Sequence, residues 1–245
     1  MKANGFTLLE VLGVLAIVGI VASVSVMGIR STMVNGAVQT DVMVCHNAAT
    51  DINALFSQPT FDGFIPITGT AGSVPVMGTN LPNVSASVIQ SAACFENVLI
   101  ANGVLSTPYK FGFGPPRGFE AVPLRYNPAQ HAFYTQGDVA PVPGTMTQAG
   151  RVLTALATPG VTPSTARGAN FWLTPKQDLP AGSMVFYVYH PQLDAQQAYA
   201  LAAKLNAPGA ILPAAGQELD NGPVTYAAAA AGTNKTDVFV FLLSK

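Results

Sequence analysis

Residues 5–29 read GFTLLEVLGVLAIVGIVASVSVMGI. Lys2 is the one charge ahead of this stretch and Glu10 the one charge inside it. An α-helix rises 1.5 Å per residue, so an apolar run of about 20 residues spans the hydrocarbon of a bilayer. A secretory signal peptide is the competing reading. Its apolar core is about 7–15 residues long and ends at a small-residue cleavage site; this run is longer, and its polar punctuation sits at the front. A plain transmembrane anchor explains the length. It does not explain Glu10, since a charge within hydrocarbon costs at least about 2.5 kcal/mol. Nor does it explain the order Gly5-Phe6-Thr7-Leu8-Leu9-Glu10.

That hexapeptide, with the apolar run behind it and a short charged leader ahead, resembles the N-terminus of type IV pilin-like proteins. These are the pilins of type IV pili and the pseudopilins of type II secretion. The resemblance covers the first 30 residues or so and implies several things. A prepilin peptidase cuts between Gly5 and Phe6, and the new amine of Phe6 is N-methylated. Residues 1–5 are the leader, 6–29 a membrane-spanning and filament-core helix, 30–57 its amphipathic continuation, and 58–245 a head domain. The implied partners are copies of the chain itself in a helical polymer, other pilin-like subunits, the peptidase, and an inner-membrane assembly platform. The implied location is the inner membrane by a single pass before assembly, then a periplasmic or extracellular filament. Gly19 matches a frequent family glycine, whereas Met27 stands where many members have a proline.

Glu10 also has a physical reading. Cleavage leaves an ammonium at Phe6, within or at the edge of the apolar layer. An isolated carboxylate and an isolated ammonium are each costly there, and paired they offset each other's desolvation. Within one helix the two lie about a turn apart. The resemblance implies pairing with the neighbouring subunit, which makes Glu10 an assembly residue.

Charged residues make up 9% of the 245 and hydrophobic ones 49%, with a formal net charge of −1. There is no basic patch, so no nucleic-acid footprint is evident. The two cysteines, Cys45 and Cys94, allow one bridge in an oxidising compartment or two buried free thiols; both readings stand.

Along the chain, residues 31–57 contain no proline and turn amphipathic. On a helical wheel starting at Val34, Val38, Val42, Cys45, Ala49, Ile52 and Phe56 share one face, with Ala37, Ala48 and Leu55 on its flank. Asn35, Gln39, His46, Thr50 and Asn53 lie opposite. One helix is therefore expected over 6–57, about 78 Å long, ended by Gln58-Pro59. Asp41 falls inside the apolar stripe and calls for a partner in the head. Residues 60–82 read as a loop rich in Gly, Pro and Thr, and 85–105 as a second helix with Val88, Ala92, Phe95 and Leu99 on one face. On that helix Cys94 points away from the apolar face.

Residues 124–126 and 131–135 read as strand, turn, strand. Further strands are expected over 151–157, 169–173, 184–189 (MVFYVY), 224–230 and 236–243. Asp194 and Gln197 form a capping box that opens a helix with Ala198, Leu201, Ala202 and Leu205 on its buried face. The fold class is α+β: a long N-terminal helix packed on a head with an antiparallel sheet.

Catalytic patterns are missing. His46, His131 and His190 stand in different elements without metal-ligand spacing and read as surface or hydrogen-bonding residues. No GxSxG, HExxH, CxxC or P-loop occurs. Glu218 and Asp220, in a glycine-flanked turn, are a weak calcium candidate but fall short of an EF-hand ligand set. Asn83 and Asn234 head possible glycosylation sequons. The expectation is a structural subunit of a type IV pilus-like filament, not an enzyme and without a cofactor. The alternatives are a type II secretion pseudopilin, or a binding domain on a pilin-like anchor.

Overall fold

The computed structural model describes residues 8–59, 61, 65, 67, 94–114, 124–127, 132–135, 150–174, 176–206 and 210–245. The side chains of 8–10, 23, 24, 26–28 and 30, and those of 124–127 and 132–135, lie outside that description. So do the expected loop at 60–82 apart from Phe61, Ile65 and Ile67, the first half of the helix expected at 85–105, and His131.

Helix α1 (Leu8–Phe56) is continuous over 49 residues, about 74 Å at 1.5 Å each. Its end is built as the sequence requires. Ser57 donates its backbone N–H to Asn53 and Ala54, its hydroxyl closes on the Asn53 carbonyl at 2.9 Å, and Pro59 cannot continue the ladder.

The head is built on a four-stranded antiparallel sheet of β3 (Arg151–Leu156), β4 (Met184–Asp194), β5 (Val224–Tyr226) and β6 (Lys235–Ser244), in the order β3-β4-β6-β5. A separate hairpin pairs β1 (Leu124–Asn127) with β2 (Ala132–Thr135). Three helices complete the described structure: α2 (Phe95–Ala101), the short α3 (Pro163–Ala166) and α4 (Ala195–Leu205). This is the α+β architecture expected.

Alternation along the strands divides the head into two cores. From β4, Phe186 and Val188 face the side of α1 and α4, joined by Val152, Val224, Tyr226, Val238 and Val240. Val185, Tyr187 and Tyr189 face the other side, with Leu153, Ala155 and Phe239. Among the described residues, that second face is covered by Ala157, Phe171 and Leu179.

α4 begins at the capping box foreseen, with the Asp194 N–H donated to Gln197 Oε1 at 3.1 Å. Ala198, Leu201 and Ala202 are buried beneath it. The strand expected over 169–173 is reduced to a single bridge between Trp172 and Asn221. Asn170 is the reason: its Oδ1 takes the N–H groups of Phe171 and Leu179, and its amide donates to the Val161 carbonyl. A side chain that absorbs local backbone groups competes with a ladder for them.

Candidate assembly helix and its junction with the head

Helix α1 has two halves with opposite surroundings. In the head-side half, Val38, Val44, Cys45, Ala48, Ile52 and Leu55 are buried, while Asn35, Gln39, His46, Thr50 and Asn53 face solvent. In the outer half every residue of 11–22 is exposed, although nearly all are apolar; Leu15, Ile17 and Ile20 each keep more than half their surface, with Ile17 at 64%. A helix that is apolar all round is a helix built to be covered. Nothing described in the same chain covers it. Among the described residues, no helix is long and apolar enough to cross a membrane. Gly5 and Phe6 lie outside the described residues, and Glu10 is placed only as backbone on the first turns of α1.

The junction between the halves is where the sequence left Asp41 unexplained. The buried residues of α1 centre on the azimuth of Asp41, about 20° from the line through Val34 and Ile52. The carboxyl is fully buried and meets the segment 105–114, which runs along the helix from Asp51 back to Ala37. Gly112 donates its N–H to Asp41 Oδ1 at 2.6 Å, and Phe113 adds a second backbone hydrogen bond. Only glycine fits at 112: a Cβ there would run into the Ala37 carbonyl.

From the sheet, His190 of β4 brings Nε2 to 3.6 Å from Asp41 Oδ2. The rings of Phe111 and Phe113 stand edge-on to the imidazole, at centroid distances of 5.1 and 6.4 Å. Burial raises the Asp41 carboxyl to about 7 against the two backbone hydrogen bonds, and lowers His190 to about 3. His190 is thus an interior residue at the contact between sheet and helix. The signals were in the sequence: a lone carboxylate in an apolar stripe, and a histidine in register with Phe186 and Val188 on an alternating strand.

Further along the same side, Tyr109 donates its hydroxyl to Asp51 Oδ2 at 2.6 Å, and burial with this bond pushes the phenol up. An open groove of about 490 Å³ runs there, lined by Asn47, Thr50, Asp51, Tyr109 and Lys110 among others.

Cys45 and Cys94 are both buried and no disulfide joins them. Burial and the nearby Asp41 push the Cys45 thiol up, away from the reactive thiolate. Cys94 is the N-cap of α2 rather than a residue of it, so the helical wheel that turned it outward does not apply. Glu218 and Asp220 are committed to protein donors: the Ser164 hydroxyl bonds Glu218, and the Ser164 N–H bonds Asp220 at 2.8 Å. Among the described residues no cluster suited to a metal ion is present.

Residues 1–26 match the family model of the prokaryotic N-terminal methylation motif. That motif is the signature of the prepilin-type cleavage site found in type IV pilin and pseudopilin precursors. The remaining nine-tenths of the chain lies outside the match. No curated protein and no solved structure matches the chain.

Proposed function

We propose that the chain is a structural subunit of a type IV pilus-like filament, processed at Gly5–Phe6 and assembled through the outer half of α1, with no enzymatic activity of its own. The observation that carries this reading is the apolar arm at 11–22, exposed all round and attached directly to a prepilin-type motif. In the membrane, lipid covers the arm by a single pass of residues 6–29. In the filament, the arms of neighbouring copies cover one another. Both covers satisfy the same surface, so a subunit passes from bilayer to polymer without exposing it to water. The head supplies a lightly charged exterior suited to packing against other heads.

Mass spectrometry of membrane and sheared-filament fractions tests the processing. The expected mature N-terminus is N-methylated Phe6, and Gly5→Ala should accumulate full-length precursor in the membrane. Assembled material that retains Met1 contradicts the reading. Release of the subunit by shearing distinguishes a surface pilus from a periplasmic secretion pseudopilus, which shearing leaves in the cell.

A further inference from the structure

At the centre of the junction between helix and head a carboxyl faces an imidazole, and both are buried. Asp41 Oδ1 is satisfied by Gly112 at 2.6 Å. Among the described residues, Asp41 Oδ2 has no donor and His190 Nε2 no hydrogen-bond partner, although they face each other at 3.6 Å. That separation is a little too long for a hydrogen bond, and a proton on either atom would draw them together.

Among the described residues, burial dominates at both groups, opposed only by backbone hydrogen bonds at Asp41. On α1 the nearest acid is the Cys45 thiol, itself held neutral by burial. From the segment 105–114 come Phe111 and Phe113, with Tyr109 tied to Asp51 further along. Glu96 of α2 is also buried, and the group it acts on is Tyr109. Gly150 backs the imidazole, where a Cβ would lie 3.0 Å from His190 Nδ1 and 2.8 Å from the Phe111 ring. Arg151, the next residue, lies over the Tyr189 ring at 5.0 Å, and Tyr189 points to the opposite face of β4. From β6 the register partner is Val238, which does not titrate.

We infer that Asp41 and His190 share a single proton, carried on Asp41 Oδ2 and donated to His190 Nε2, and that this hydrogen bond latches helix α1 to strand β4. An ion pair at the same place would require desolvating two charges, whereas the neutral pair needs one hydrogen bond and leaves no charge buried. His190 then carries its own ring proton on Nδ1. Burial acts on the two groups in opposite senses, raising the acid from 3.8 to about 7 and lowering the base from 6.5 to about 3.

The proton balance follows. In the unfolded chain between about pH 4 and pH 6.5 the carboxyl is ionised and the imidazole is doubly protonated. On folding, the imidazole gives up that proton and the carboxyl gains one. The pair binds the same number of protons in both states, so within this window it adds no pH dependence to stability. Each half taken alone does. A raised carboxyl stabilises below its unfolded pKa and loses that contribution as pH rises toward about 7. A lowered imidazole stabilises above 6.5 and loses that contribution as pH falls toward about 3.

The test is denaturant unfolding of the full chain in mild detergent between pH 4 and pH 6.5, comparing wild type with Asp41→Asn and His190→Gln. Relative to wild type, the folding constant of Asp41→Asn should drop about tenfold for each pH unit of acidification. That of His190→Gln should drop about tenfold for each pH unit of increase, and the double variant should parallel wild type. Single variants that parallel wild type overturn the inference. A second measurement stands if the variants do not fold: nitrogen NMR of imidazole-labelled wild type at pH 6. A neutral His190 with Nε2 as acceptor is expected, and an imidazolium there also overturns it.

Discussion

Asp178 shows how single side chains hold the segments that cover the sheet face opposite α1 and α4. Its Oδ1 accepts the Asn170 amide at 2.6 Å and the Trp172 indole at 2.8 Å, and its Oδ2 accepts the Gly160 N–H at 2.8 Å. Those bonds, the Asn170 one foremost, hold its carboxyl below the usual range. A lowered acid stabilises the fold above its unfolded value near 3.8 and loses that contribution as pH falls through the folded one. The melting difference between wild type and Asp178→Ala should therefore be full at neutral pH and shrink below about pH 4. Calorimetry at both ends of that range reads it. A difference that persists undiminished in strong acid would assign the clasp to shape rather than charge.

At the scale of elements, legibility followed the source of the signal. α1 and the strands β3, β4 and β6 were readable because their patterns are local: a proline-free amphipathic run, then β-branched and aromatic stretches. The capping box at Asp194 and Gln197 is likewise a three-residue pattern. Position on the wheel was less readable. Hydrophobicity alone centred the buried face of α1 near Cys45, about 40° from its true centre at Asp41, because the residue at that centre is a carboxylate whose partners, Gly112 and His190, lie far along the chain. The strand expected around Trp172 failed for a similar reason, since Asn170 claims the backbone groups that pairing would use. The helix α3 gave no signal beyond Pro163 at its first position.

Cys94 shows the same limit: it was placed on a helix that starts one residue later. The structure leaves Cys45 and Cys94 as two buried residues without a bridge. Alkylation under native conditions should therefore be slow, and denaturation without reductant should release two reactive thiols. A mass corresponding to no alkylation in the denatured, unreduced chain would show a disulfide instead.

At the scale of the whole molecule, the chain separates a folding task from an assembly task, and Glu10→Ala should divide them. Residues from Val34 onward pack into the head, while among the described residues nothing buries 11–22. A change at position 10 therefore leaves the head's core, its sheet and the Asp41 junction untouched. Removing a charge makes the segment more apolar, so membrane insertion should hold or improve. In the proposed filament, Glu10 supplies the one carboxylate in the 5–29 stretch that can meet the ammonium of a neighbour's Phe6. Without it each incoming subunit brings a charge into the apolar layer with no partner, which costs several kcal/mol per addition. A polymer needs that step many times over, so even a few kcal/mol at each one should halt growth. The expected phenotype is a processed, membrane-resident, normally folded subunit that yields no sheared filament. Proteolysis resistance of the head reads the folding half and filament yield reads the assembly half. Normal filament yield from Glu10→Ala would remove the carboxylate from assembly and leave the apolar arm as the sole contact.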